Sequence, residues 1–225
     1  VLNNVTWVSE KGLHSVGLVQ GNIDQSVKWD FKERNRIAQK HISMSAELWG
    51  LNLVVWPEYA LTLYGEEARR VKLDLHERAM ESGTNLLLGA PEIVAYRDEQ
   101  LAERFRVFNT AQGFGFASGS FAKSHLVPFG DYVPFQEILR GLITFFDLPM
   151  SSSSKGSSDQ PNIVAKLGGE TVQIGIGICY EIAFGDSMRK RAREADLLVT
   201  ITNDTWFGAS IGPHQHMQIA RVRAL

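Results

Sequence analysis

Apolar residues fall along this chain in short runs separated by charged stretches. Residues 15–20 and 51–56 are strand-length runs rich in aliphatic side chains, which predicts two buried strands. Between them, residues 31–49 bring Ala38, Ile42, Ala46 and Trp49 near one face, the spacing of an amphipathic helix. A second, charged helical stretch over 66–82 leads through Gly83 into the apolar run 85–90. Two strand-helix-strand units in succession predict an α/β sandwich with helices outside the sheet. Residues 105–114 and 115–125 read as a hairpin of adjacent strands. The later pattern is strand 171–179, helix 186–194, strand 197–202 and a helix from Gly212 onward. Residues 151–161 are Ser-rich and weakly apolar, which predicts a solvated surface loop too short to separate domains. With no internal repeat, residues 1–225 read as one domain.

Composition supports that reading. At 225 residues, with 44% hydrophobic and 21% charged, the chain can bury one sizeable core. A formal charge of -2 gives no global basic field, so nucleic acid is not an expected partner. No run approaches the roughly 18 to 20 apolar residues that cross a bilayer as a helix. The chain starts at Val1 with no initiator Met or signal-peptide pattern and stops at Leu225 inside a helical pattern, so it is expected to be a piece of a longer protein, incomplete at its C-terminal end. One cysteine, Cys179, excludes an internal disulfide.

Candidate chemistry lies where strands end. Cys179 closes the run 172–178 and precedes Tyr180 and Glu181, which presents a thiol at a strand terminus beside a carboxylate. A thiol accepts an acyl group only as its thiolate, so a base or cation must support it. The alternative is a core cysteine, since free Cys is among the most buried residue types. Glu58 follows Trp56 and Pro57 directly after an apolar strand; proline ends the ladder and displays the carboxylate as a potential general base. Its alternative is an ordinary loop glutamate. Lys123, after the strand 119–122, can stabilise an oxyanion or a thiolate if it is aimed inward, and is otherwise a solvated strand-end charge. Gly175 and Gly177 mimic part of a dinucleotide fingerprint, but no third glycine follows at the required spacing and the pair lies inside a strand, so a nucleotide site is rejected. His214 and His216 point to different faces of a helix and make a poor metal pair; no metal is expected. Asn203 and Asp204 end a strand and read as braces for a neighbouring site.

Taken together and in order, Trp56-Pro57-Glu58, then Lys123-Ser124-His125-Leu126-Val127-Pro128, and Ile178-Cys179-Tyr180-Glu181 resemble the Glu-Lys-Cys triad motifs of the nitrilase, or carbon-nitrogen hydrolase, superfamily. Three motifs in order, each after a strand, are far more specific than any one. The resemblance covers nearly the whole chain and implies a nitrilase-like α-β-β-α sandwich. Within that superfamily the chain looks most like the apolipoprotein N-acyltransferases. The segments that carry this are Gln20-Gly21-Asn22-Ile23 with Lys28-Trp29, residues 125–135, Leu148-Pro149-Met150-Ser151, and Asn203-Asp204-Thr205-Trp206-Phe207-Gly208 leading into Ser210-Ile211-Gly212-Pro213.

That resemblance implies a bacterial inner-membrane enzyme whose nitrilase domain sits on the periplasmic face, anchored by flanking helices that this chain lacks. It implies Cys179 as nucleophile, Glu58 as general base, Lys123 as oxyanion partner and Glu181 as a second carboxylate that positions the reacting groups, with Tyr180 in support. A phospholipid would be the acyl donor, a diacylglyceryl apolipoprotein the acceptor, a thioester the intermediate, and no cofactor would be needed. Asp131 falls where the family has a glutamate, and its shorter side chain reaches less far. Tyr59 is larger than the small residue expected there, so the pocket differs in shape. Trp29, Tyr180, Trp206 and the cluster Phe129, Tyr132, Phe135, Phe145 and Phe146 either line a path for acyl chains or pack the core. Two rival classes remain, the first of which shares the triad and is opposed by residues 125–135 and 212–223. A soluble amidase or nitrilase would release its acyl group to water, and an inactive binding module would have lost one of the three side chains.

Overall fold

A computed structural model describes residues 12–97, 103–133 and 153–224. Its elements are β1 (Val16–Leu18), α1 (Gln25–Lys28), α2 (Arg34–Met44), β2 (Leu53–Val55), α3 (Gly65–Ser82), β3 (Asn85–Arg97), β4 (Glu103–Gly115), β5 (Ser120–Ala122), β6 (Ile163–Leu167), β7 (Glu170–Ile178), α4 (Gly185–Ala192), β8 (Leu197–Ile201) and α5 (Gly212–Arg223). The segment 148–151 and the side chains Phe135, Phe145 and Phe146 lie outside the described residues.

Two sheets face each other. The first runs β1-β2-β3-β4-β5, with β1, β2 and β3 parallel and β4 and β5 antiparallel to their neighbours. The second runs β6-β7-β8, with β6 antiparallel and β8 parallel to β7. Successive side chains of a strand point to opposite faces, and this divides the core in two. Val54, Trp56, Leu86, Leu88 and Ala90 pack against Ala38 of α2 and Leu75 and Ala79 of α3. Leu53, Val55 and Leu87 turn the other way, onto Ile163, Ala165, Ile174, Ile176 and Ile178 of the second sheet. Both faces of β2 and of the first half of β3 are thereby covered, so these segments read as unbroken apolar runs. Burying each such Leu, Ile or Val contributes about 1.5–3 kcal/mol. The result is the expected nitrilase-like α/β sandwich. No helix among the described residues is long and apolar enough to cross a membrane.

Local signals end α3 where expected. Glu66 and Glu67 occupy the first turn of α3, where carboxylates complement the helix dipole, and Gly83 closes it at φ 72 with its N–H on the Ala79 and Met80 carbonyls. On the second sheet, Gly175 and Gly177 serve packing. A β carbon at 175 would come within 2.8 Å of Leu198 and one at 177 within 3.2 Å of the Met188 sulfur, so their absence lets α4 and its following turn lie close on β7.

Several expectations need correction. The predicted helix 31–49 is regular only over α2, and residues 45–50 form turns. The expected hairpin exists as the brief β4–β5 pairing, but β4 pairs chiefly with β3, through thirteen positions from Asn85↔Gly115 to Arg97↔Glu103. β3 therefore continues seven residues past the predicted 85–90, into a stretch whose last five residues are exposed. Helix α1 and strand β6 had not been foreseen. The first described residues of the supposed solvated loop 151–161 are held against the fold. Ser153 and Gly156 are buried, and the N–H groups of Ser153, Ser154 and Gly156 donate to the carbonyls of Asp131 (2.9 Å), Val107 (2.6 Å) and Lys123 (2.9 Å). Backbone hydrogen bonds, not apolar side chains, hold it in, which is why its composition suggested otherwise.

Candidate active site

Glu58 sits just past β2. Pro57 offers no N–H to extend the ladder, and β3 crosses close by at Gly89, where a β carbon would fall 2.3 Å from the Pro57 carbonyl oxygen and 2.7 Å from Glu58 Cα. The carboxylate is 3% exposed and held at both ends. Oε1 accepts from Asn109 Nδ2 at 2.7 Å and Lys123 Nζ at 3.3 Å, and Oε2 accepts from the Asn203 backbone N–H at 2.9 Å. Asn203 thus braces Glu58 through its main chain.

Lys123 follows β5 and is 2% exposed. Its backbone is fixed between the Asn109 carbonyl and the Gly156 N–H, and its ammonium lies 2.8 Å from Asp131 Oδ2 and 3.3 Å from Glu58 Oε1. Burial alone would push this amine down, but Glu58, Cys179 and Asp131 outweigh it and hold Lys123 above the ordinary lysine range, so it stays protonated. Asp131 reaches Lys123 despite its shorter side chain. A tight turn, with Phe129 at φ 61 and its N–H on the Tyr132 carbonyl at 2.7 Å, folds the carboxylate back, and the Val127 N–H holds it at 2.8 Å. Burial and Glu58 push Asp131 up, and Lys123 only partly opposes them.

Cys179 follows β7 in the left-handed region, at φ 54, and starts a 3-10 turn over Cys179–Ala183. Burial, then the nearby Glu58 carboxylate, push its thiol up to about 12, while Lys123 and a hydrogen bond from Thr202 pull the other way. At neutral pH the thiol is protonated and needs a base to become a nucleophile. The fold thus gathers Glu58, Lys123, Asp131 and Cys179 from the ends of β2, β5 and β7 and from the turn after β5.

Glu181 is fully buried and works on the frame. Its carboxylate accepts from the N–H groups of Ser124 (2.9 Å), His125 (3.1 Å) and Ile178 (2.9 Å) and from the Ser124 hydroxyl (2.7 Å), and it pairs with Arg191 at 3.3 Å. Burial would raise it, but Arg191 and these donors together hold it below the usual carboxylate range. It ties the Lys123 segment to the Cys179 turn. The other predicted residues are more dispersed. Trp29 meets Tyr59 edge-on with ring centroids 5.0 Å apart, and Tyr59, 2% exposed, reaches Ser153 Oγ at 3.1 Å. Tyr59 therefore fills the space whose altered shape its size had suggested. Tyr180 is half-exposed and meets Phe184, which stacks on His125 at 4.5 Å. Phe129 is half-exposed, Trp206 lies in the 3-10 turn Asp204–Phe207, and Phe146 is outside the described residues.

Lys28, Asn109 and Arg191 carry no signal in the sequence read alone. Lys28, 4% exposed at the end of α1, donates to the Glu58 carbonyl at 3.1 Å. A lysine after a short polar stretch reads as surface, and only the resemblance of the segment Lys28-Trp29 marks this one. Among the described residues, no group of three His, Cys, Asp or Glu side chains is placed to hold a metal ion.

A carboxylate, an ammonium and a thiol thus come together at three strand ends of an α-β-β-α sandwich. The chain matches the carbon-nitrogen hydrolase family over residues 15–225 and belongs to it. It is 38% identical, over all of its 225 residues, to the apolipoprotein N-acyltransferase of Pseudomonas syringae pv. tomato, and 40% identical over 92% of its length to that of Pseudomonas aeruginosa PAO1. It spans about two fifths of these curated relatives, 43% and 39% respectively. Among solved structures, a carbon-nitrogen hydrolase from Helicobacter pylori G27 matches with a TM-score of 0.59 at 15% identity, covering 94% of this chain and 69% of the other. Nit3 of Saccharomyces cerevisiae matches with 0.54 at 20% identity, covering 94% and 71%. These likenesses agree in fold.

Proposed function

We propose that residues 1–225 are the catalytic domain of an apolipoprotein N-acyltransferase of the bacterial inner membrane, facing the periplasm. The observation that carries this reading is the buried ion pair of Glu58 and Lys123 close enough to act on the Cys179 thiol, in a chain similar along its whole length to proteins of that name. Glu58 takes the thiol proton as the sulfur attacks the ester carbonyl of a phospholipid, and Lys123 steadies the oxyanion. Collapse breaks the ester C–O bond. The departing alkoxide takes the proton from Glu58, and lyso-phospholipid leaves a thioester on Cys179. The free α-amine of a diacylglyceryl cysteine then attacks, Glu58 receives its proton, and the amide forms as the Cys179 thiolate leaves and is reprotonated. The exposed rings of Tyr180 and Phe184, just beyond the nucleophile, support a substrate with apolar chains.

The test is mass spectrometry of the intact full-length protein in lipid. An acyl adduct should map to Cys179, be absent in Cys179→Ala, persist in buffer, and discharge on addition of a diacylglyceryl-cysteine peptide but not its N-acetylated form. Rapid loss of the acyl group to buffer, or equal discharge by the blocked peptide, would mean a hydrolase instead.

A further inference from the structure

The left-handed backbone of Cys179 is disfavoured for any residue with a β carbon, so something must hold it. Its carbonyl oxygen lies 3.1 Å from His216 Nε2, and Nδ1 of the same ring lies 2.8 Å from Asp204 Oδ1. Both neighbours are acceptors. A neutral imidazole carries a single N–H, so one of the two contacts would set lone pair against lone pair. Only the imidazolium donates to both. The ring is 7% exposed, so water has little room to relieve a mismatch. Asp204 Oδ1 also accepts from Thr202 Oγ1 at 2.7 Å, which fixes the carboxylate against the ring.

We propose that His216, as an imidazolium held between Asp204 and the Cys179 carbonyl, is a positioning residue that keeps the backbone of the nucleophile in its reactive conformation. The inference rests on the reading of Cys179 as acyl acceptor. The hydrogen bond that His216 donates to Asp204 raises its titration above the ordinary histidine range; burial opposes it, and the charge of Asp204, the Cys179 carbonyl and the charge of Glu58 add to the rise. The charges acting on the ring are therefore Asp204, from the turn after β8, and Glu58, from the end of β2. Thr202 is neutral, and the Cys179 thiol stays protonated.

The experiment uses the full-length protein in lipid with ¹⁵N-labelled histidine, the His216 signals being assigned by their loss in His216→Leu. Both ring nitrogens should be protonated at neutral pH and titrate above the free-histidine value. In Asp204→Asn the amide can donate to Nδ1, so His216 should become neutral at neutral pH, keep its proton on Nε2, and titrate below the free value. In parallel, the rate of Cys179 acylation from a phospholipid donor is followed by intact mass. His216→Leu should slow it about ten- to a hundredfold, the loss of one hydrogen bond from a charged donor. In the unmodified protein the rate should fall as pH rises through the His216 titration, and Asp204→Asn should remove that fall. A neutral His216 at neutral pH in the unmodified protein, or a folded His216→Leu variant that acylates at the normal rate, would overturn the proposal. If His216→Leu does not fold, the histidine titration and Asp204→Asn still decide. Failure of the unmodified protein to acylate at all would instead remove the catalytic reading of Cys179, and the ring's protonation would be judged by resonance alone.

Discussion

Lys28→Met separates the cost of a buried cation from its use. Lys28 is 4% exposed and donates to the Glu58 carbonyl at 3.1 Å. Burial lowers its titration from 10.5 to about 8, with Glu58 and Cys179 opposing the fall. Because the folded value is the lower one, the unfolded chain binds more protons between about 8 and 10.5, so stability rises with pH across that window. Below about 8 both states hold the proton and the full penalty applies. At about 1.4 kcal/mol per pH unit, this amounts to about 3 kcal/mol at neutral pH. Methionine keeps most of the volume, removes the charge, and forfeits one hydrogen bond worth about 1–2 kcal/mol. Lys28→Met should therefore stabilise the domain by about 1–2 kcal/mol at neutral pH, and that gain should vanish at about pH 9.5 and turn into a loss above about pH 10.5, where only the forfeited hydrogen bond remains. Pulse proteolysis of the full-length protein across a urea series, at neutral pH and near pH 9.5, measures both. The acylation rate should drop about tenfold as the Glu58 main chain loses its donor. A destabilised variant at neutral pH, or a gain independent of pH, would refute the reasoning.

Three further outcomes follow from the geometry. Glu58→Gln preserves shape but cannot take a proton, so acylation of Cys179 should slow by about 10² to 10⁴, and a near-normal rate by intact mass would remove Glu58 as the base. Glu181→Gln leaves Arg191 buried without its anion and turns an amide toward the N–H groups of Ser124, His125 and Ile178, which should cost about 3–5 kcal/mol in urea unfolding; unchanged stability would mean that the clasp carries little weight. Gly89→Ala forces a methyl to within 2.3 Å of the Pro57 carbonyl oxygen, which should destabilise by about 1–3 kcal/mol and slow acylation by shifting Glu58. A variant with normal rate and stability would show that β3 has room to retreat there.

The residues at the centre of this site were legible because they obey one-dimensional rules. An aliphatic run ending in Trp56-Pro57 must stop its strand there, and Glu58 is what the chain displays next. The same holds for Lys123 after β5 and Cys179 after β7. Unbroken apolar runs in β2 and early β3 likewise announced strands covered on both faces. What the sequence left open depends on partners distant along the chain. The outer half of β3 carries Ile93, Val94 and Tyr96 yet buries none of them, so no core-facing run marks it, and it is a strand because β4 hydrogen-bonds along its length. Ser153 and Gly156 look like solvent-facing residues and are buried because backbone donors meet the carbonyls of Asp131 and Lys123. Lys28, Asn109 and Arg191 are polar types whose identity predicts the surface, and only the tertiary structure supplies the carboxylates and carbonyls that let them go inside. Periodicity and strand punctuation are local properties of a sequence. The pairing of a buried polar group is settled only when elements far apart in the chain are brought together, because its partner is chosen by position in space.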